Sequence, residues 1–137
     1  MVCLYCRSKT QVTNSRPQKR SNAIWRRRQC VGCRALFTSV EQIDVSASLR
    51  VKRPEGLEPY NKEKLMFSLY ESLKHLEGAS GAAKELTETI TLLVAQNNTQ
   101  NAGTAVIPVK EIVSSANTVL LRFDNVAGLH YQASHKG

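Results

Sequence analysis

The second half of this 137-residue chain places apolar residues at the spacing of α-helices. Side chains that recur every three or four residues predict a helix over 62–76, with an apolar face of Leu65, Leu69, Leu73 and Leu76. Asn61 is suited to cap the start of that helix, and Gly78 to end it. A second helix is predicted over 82–96, and its expected buried residues are Leu86, Ile90, Leu93 and Val94.

Two more helices are expected towards the C-terminus. The first covers 110–121, and the second, over 125–134, is more weakly patterned. Between the second and third helices, residues 97–103 form a polar break and 105–109 are typical of a short extended segment.

A β-hairpin is predicted before the first helix. Residues 49–52 and 57–60 have the pattern of strands, and Pro54, Glu55 and Gly56 between them favour a turn. Residues 49–137 are therefore expected to form a small helical domain capped by a hairpin. With the β-rich segment that precedes it, the chain is predicted to have an α+β fold.

Residues 1–46 are organised around two Cys-x-x-Cys pairs, Cys3/Cys6 and Cys30/Cys33. This spacing is typical of a tetrahedral four-thiolate metal site in which each pair forms one turn. A span of about forty residues buries too little apolar surface to fold alone, so the metal is expected to supply folding free energy. Four thiolates leave no open coordination position, which predicts a structural metal.

Other uses of the four thiols are less compatible with the sequence. Met1 and Val2 lead straight into the first pair without a secretory signal, so we expect a reducing cytoplasm, in which disulfides are rare. A redox motif would leave the second pair without a role. Zn²⁺ is the favoured ion, although spacing alone leaves iron open.

Positive charge is concentrated in the same segment. Of the net charge of +8, residues 1–46 contribute +7, from nine basic and two acidic side chains. Residues 47–137 contribute only +1. Because seven of the nine basic residues are arginines, which donate bidentately to phosphates and guanine edges, this segment is predicted to bind nucleic acid.

Six basic side chains are candidates for binding DNA: Arg16, Lys19, Arg20, Arg26, Arg27 and Arg28. Neighbouring residues of a strand face opposite ways, so Arg26 and Arg28 are expected to share one face and Arg27 to take the other. We expect that pair to matter more than the triplet. Trp25 can stack at the same surface or cover the small core, and the sequence leaves both open.

Several segments resemble a known family. Four segments within residues 1–46 are similar to the zinc ribbon of the NrdR transcriptional repressors: Cys3 to Cys6, 12–16, 23–30 and 37–41. The segments 51–56 and 58–65 resemble the ATP-cone that follows the ribbon in that family. The resemblance covers almost the whole chain in the same domain order, with a divergent C-terminal segment.

The resemblance implies a zinc-ribbon DNA-binding domain over 1–46 and an ATP-cone regulatory domain over 49–137. It implies a homo-oligomeric repressor of the bacterial cytoplasm and nucleoid that binds promoter boxes of ribonucleotide reductase genes, under the control of ATP or dATP. The positions that match the family's nucleotide contacts are Val51, Lys52, Arg53, Glu58, Asn61 and Lys64. Cations on a hairpin and at a helix N-terminus suit a triphosphate.

No catalytic residue is predicted. The chain lacks a Walker loop, so a nucleotide would be sensed and not necessarily hydrolysed. His75, His130 and His135 are scattered, and each is expected to be a surface or packing residue. An alternative function is that of a regulatory accessory to a nucleotide-metabolising enzyme, in which the ribbon serves as an adaptor.

Overall fold

The cysteine- and arginine-rich N-terminal segment and the helix-patterned segment that follows it form two separate units of structure. The structure is a computed structural model, which describes residues 1–98 and 105–136. It divides the chain into Met1–Ile43, here called the ribbon unit, and Asp44–Gly137, here called the helical unit. The division falls a few residues before the predicted one. The predicted α+β class is confirmed.

The ribbon unit is a three-stranded antiparallel sheet in the order β1-β2-β3. Its strands are β1 (Thr10–Gln18), β2 (Ala23–Cys30) and β3 (Leu36–Glu41). The register between β1 and β2 shifts between Val12 and Asn14, which is a β-bulge. Among the described residues of this unit, the buried apolar side chains are only Cys3, Ala23 and Cys30. The sulfurs therefore occupy the place of an apolar core.

The helical unit contains three strands and five helices in its described part. In chain order they are α1 (Val45–Ser48), β4 (Leu49–Arg53), β5 (Gly56–Pro59), α2 (Lys62–Leu73), α3 (Ala79–Asn97), β6 (Ala105–Pro108), α4 (Val109–Phe123) and α5 (Asn125–Ser134). Most of the polar break predicted over 97–103 lies outside the described residues. No described helix is long and apolar enough to cross a membrane.

The predicted hairpin is part of a larger sheet. Strand β4 pairs antiparallel with β5 and parallel with β6, in the order β5-β4-β6. Sequence patterns identified β6 as extended but gave no partner for it. Its pairing with β4 joins segments more than fifty residues apart, with Val51 opposite Ile107.

The first predicted helix ends earlier than its leucine pattern suggests. Helix α2 ends at Leu73, and the N–H of Leu76 donates to the carbonyl of Leu73 in a tight turn. Gly78 has a left-handed conformation, with φ 75°, and is the N-cap of α3. Gly78 therefore lies at the start of the next helix and not at the end of α2. Glycine suits this position because a positive φ is unfavourable for residues with a side chain.

A core of buried side chains joins all the layers of the helical unit. It includes Leu69, Ile90, Ile107 and Leu120 from four different elements. Leu93, predicted to be buried, is 39% exposed. The inner face of α3 instead carries two threonines, Thr87 and Thr91, whose hydroxyls donate to the carbonyls four residues earlier at 2.6 and 2.7 Å. These bonds satisfy the hydroxyls within the core.

Each of the three histidines links α2, or the turn after it, to α5 or its cap. His135 pairs with Ser68, His130 pairs with Ser72, and His75 pairs with Asp124, at 3.0 to 3.1 Å. Asp124 also caps α5 by accepting from the N–H of Ala127. That N–H, with His75 as a smaller cause, lowers the pKa of Asp124. The three histidines are exposed and contribute hydrogen bonds between these elements.

Candidate functional site

Four sulfurs converge at one end of the ribbon unit. The sulfurs of Cys3, Cys6, Cys30 and Cys33 all lie within 4.8 Å of one another. The Sγ of Cys3 is 3.7 Å from that of Cys33, and the Sγ of Cys6 is 3.4 Å from that of Cys30. A tetrahedral zinc ion with Zn–S bonds of about 2.3 Å separates its sulfurs by about 3.8 Å. The thiols are free, so this set fits one tetrahedral metal ion.

The two turns that present the sulfurs have the same backbone form. The residue after the second cysteine of each pair, Arg7 or Arg34, has φ 66°. Backbone N–H groups donate to the sulfurs, from Tyr5 to Cys3 at 3.4 Å and from Gly32 to Cys30 at 3.3 Å. Such bonds orient thiolate ligands and stabilise their charge.

The first turn approaches the second so closely that a side chain at Gly32 would force Ser8 to move. A Cβ there would lie 2.7 Å from the Oγ of Ser8. Ser8 also acts on the neighbouring ligand, since hydrogen bonds from its hydroxyl and its N–H lower the pKa of Cys6 to about 6. The thiolate is the form that binds metal, so the local structure prepares this ligand.

The sheet of the ribbon unit has two different faces. On one face Arg16, Trp25 and Val40 lie side by side across the three strands. Arg27 follows two residues after Trp25 and belongs to the same face, which we call the tryptophan face. Arg26 and Arg28 lie on the opposite face, here called the arginine-pair face.

The side chains of the arginine-pair face are held within the protein. Arg26 donates to Glu41 at 3.0 Å and to Ser15 at 3.1 Å. Arg28 donates to Ser39 at 2.8 Å. Both are half-buried, and the charge of Arg26 is partly balanced by Glu41. The two arginines expected to matter most therefore have partners already.

The other candidate DNA-binding cations have fewer contacts within the protein than Arg26 and Arg28. Arg27 is exposed and makes one hydrogen bond, at 3.3 Å, to the hydroxyl of Thr38. In the part of the chain that the structure describes, the side chains of Arg16, Lys19 and Arg20 are exposed and form no hydrogen bond or ion pair. These positions lie on β1 and the turn that follows it. Their charge is free to meet a polyanion.

A cavity of about 550 Å³ lies within the helical unit. Five of the six residues predicted to contact nucleotide line it: Val51, Arg53, Glu58, Asn61 and Lys64. Lys52 does not line it. Because strand residues alternate, Lys52 shares the exposed face of β4 with Arg50, while Val51 and Arg53 face inwards.

The mouth of the cavity combines fixed charge with a helix N-terminus. Arg53 donates to Glu58 at 2.5 Å, and this hydrogen bond lowers the pKa of Glu58. The side chain of Asn61 caps α2 by accepting from the N–H of Lys64 at 2.8 Å. The start of α2 therefore presents both a dipole and the Lys64 ammonium to an anion.

Sequence patterns missed the residues that α4, α5 and the two residues after α5 contribute to the cavity. They include Lys110, Asn117, Tyr131, His135 and Lys136. The Oδ1 of Asn117 is buried and has no hydrogen-bond partner among the described residues. The ring of Tyr131 stacks on that of His135 at 3.9 Å. One indication of these cavity residues was present in the sequence. Asn117 is polar and lies four residues, about one helical turn, after Val113, which also lines the cavity.

Comparison with known proteins agrees with this geometry. A family model described as "Transcriptional repressor NrdR-like, N-terminal domain" matches residues 1–41, the segment that carries the four sulfurs and the three-stranded sheet. The helical unit lies outside that match.

Relatives that match over 137 residues extend the similarity to the helical unit. The chain is 30% identical over 137 residues to the transcriptional repressor NrdR of Sphingopyxis alaskensis, covering 99% of this chain and 85% of the relative. It is 31% identical to that of Rhodospirillum centenum, with 99% and 86% covered. A shorter match, to the repressor of Alkaliphilus oremlandii, is 39% identical over 67 residues. The chain belongs to the NrdR family of transcriptional repressors.

Proposed function

We propose that this chain is a nucleotide-responsive repressor that binds promoter boxes of ribonucleotide reductase genes as a homo-oligomer. The observation that carries the proposal is the pairing, in one chain, of a ribbon with uncompensated positive charge and a separate cavity with its own cations. The first suits duplex DNA and the second suits a nucleotide triphosphate. The repressor acts in the bacterial cytoplasm, at the nucleoid, and catalyses no reaction.

The ribbon unit is the DNA-binding element in this proposal. Four of its exposed cations, Arg16, Lys19, Arg20 and Arg27, lie on β1, on the following turn and on β2. Arginine and lysine side chains on a rigid sheet can neutralise backbone phosphates without first being ordered. Arg26 and Arg28 support the sheet from the other face through Glu41 and Ser39.

The helical unit is the nucleotide-sensing element. Arg53, Lys64, Lys110 and Lys136 line the cavity, and Glu58, held by Arg53, is the one carboxylate among its described lining residues. A triphosphate would meet three lysines and the start of α2. The same lining offers no carboxylate free to activate water, which favours sensing over hydrolysis. ATP and dATP are the ligands that we propose, and their binding selects the oligomer.

The metal of the ribbon is proposed to be one structural Zn²⁺. Cys3, Cys6, Cys30 and Cys33 would hold it, and the ion would supply the cohesion that the unit's few buried apolar residues do not.

Replacing one ligand should remove the metal and unfold only the ribbon unit. We expect Cys30→Ser to lower zinc content from one ion per chain and to abolish DNA binding, while nucleotide binding by the helical unit persists. Elemental analysis and calorimetric titration with dATP measure the two properties. Chelation followed by zinc addition to the unaltered protein is the control. Full zinc occupancy in the variant, or iron in the purified protein, would contradict the assignment.

Binding to promoter DNA should depend steeply on salt. Each neutralised phosphate contributes about −0.9 to the slope of log affinity against log salt, so Arg20→Ala should make the slope shallower by about one. Fluorescence anisotropy of a labelled promoter duplex, with ATP, dATP or neither, measures this. Lys84→Ala, an exposed change on α3, is the matched control. Absence of DNA binding at low salt in every nucleotide state would refute the repressor proposal and favour the accessory role.

Two lysines only twelve residues apart should respond differently to substitution. Lys64→Ala should weaken dATP binding roughly tenfold or more, because a charged hydrogen bond contributes about 1.5–3 kcal/mol. Lys52→Ala should leave it nearly unchanged, since Lys52 faces away from the cavity. Calorimetric titration of both variants tests this, and DNA binding by Lys64→Ala should no longer respond to nucleotide. Equal losses in the two variants would show that the cavity is not the nucleotide site.

A further inference from the structure

Trp25 is the only tryptophan of the chain, and it lies in the middle of the ribbon's central strand. Its side chain is 49% exposed, so it does not serve as a core residue of the ribbon unit. Of the two roles that the sequence left open, stacking at the surface is therefore the one that the structure supports.

The neighbours of Trp25 combine apolar surface with positive charge. Arg16 lies opposite it on β1 and Val40 opposite it on β3, and both are exposed. Arg27 follows on the same face. The one carboxylate in strands β1 to β3, Glu41, lies on the arginine-pair face, where it pairs with Arg26. Positive charge on the tryptophan face is thus uncompensated.

This combination defines the chemistry of a partner. A partner whose apolar surface covers the exposed tryptophan and its valine neighbour would remove their apolar area from water, which stabilises the contact. The arginines beside it favour a partner that carries negative charge. Duplex DNA can meet both conditions, because phosphates flank each groove and an apolar side chain can enter between two base pairs, where the unstacked base faces can stack on tryptophan.

We propose that Trp25 inserts against a base step of duplex DNA, while Arg16 and Arg27 contact the flanking phosphates. This inference rests on the DNA-binding function proposed above and adds the face and the mode of contact. The tryptophan face meets the duplex, and the arginine-pair face, whose side chains are engaged with Glu41 and Ser39, supports it from behind. Insertion of an apolar wedge unstacks the step and bends the DNA.

The emission of Trp25 reports directly on this contact. Titration of the full-length, zinc-loaded protein with promoter duplex should quench the tryptophan fluorescence in proportion to the bound fraction measured by anisotropy. Heparin, a polyanion without bases, should bind without such quenching. Equal quenching by heparin would show that charge alone alters the emission and would overturn the inference.

Substitutions separate stacking from charge. Trp25→Ala should weaken duplex binding roughly 5- to 100-fold, the range of base stacking on an aromatic side chain, and Trp25→Phe should retain most of the affinity. Phe67→Ala, which removes a 67% exposed aromatic from the helical unit, is the control and should bind DNA normally. Zinc content verifies that each variant is folded.

The outcomes distinguish this inference from the function on which it rests. Normal duplex binding with unquenched Trp25, or full affinity in Trp25→Ala, would overturn the wedge and leave the repressor proposal standing. Failure of the unaltered protein to bind duplex in any nucleotide state would overturn both.

Discussion

The convergence of four cysteine sulfurs is the constraint on which the ribbon unit depends. It joins the N-terminal turn to the end of β2, although the described residues of the unit bury almost no other apolar side chain. A metal held by these sulfurs would take the place of a core, and the sheet beside it carries or adjoins the candidate DNA contacts. Gly32 and Ser8 show how tight that junction is, since a Cβ at Gly32 would lie 2.7 Å from the Oγ of Ser8.

The helical unit, in contrast, is held together by an apolar core. Among the described residues, fifteen buried core residues come from the sheet, from helices α2 to α5 and from Tyr60 between β5 and α2, and they form a shared apolar core. The cavity lies among these elements, so that a ligand touching β4, α2, α4 and α5 would tighten contacts between four segments at once. Such a ligand can change the surface that one chain offers to another, which gives the proposed oligomer switch a physical basis.

Local patterns in the sequence predicted much of the fold and of the two candidate sites, and the predictions that failed did so for identifiable physical reasons. Cysteine spacing and the cap at Asn61 act over a few residues and were readable directly. The pairing of β6 with β4 and the cavity residues of α4 and α5 depend on contacts between distant segments, which periodicity does not encode. Lys52 was placed by family resemblance, whereas strand alternation directs it outwards. Strand alternation placed Arg26 and Arg28 on one face, but the contacts of Arg26 with Glu41 and of Arg28 with Ser39 depend on the register of β3, which the sequence pattern does not give.

We propose that nucleotide bound in the helical unit determines which assembly of ribbons contacts DNA. Sedimentation velocity of the protein without nucleotide, with ATP and with dATP, each in the presence and absence of a promoter duplex, tests this proposal. We expect the mass of the assembly to change with the nucleotide, and one of these assemblies to bind the duplex more tightly than the others. A single mass and a single DNA affinity under all conditions, with nucleotide bound, would contradict the proposal.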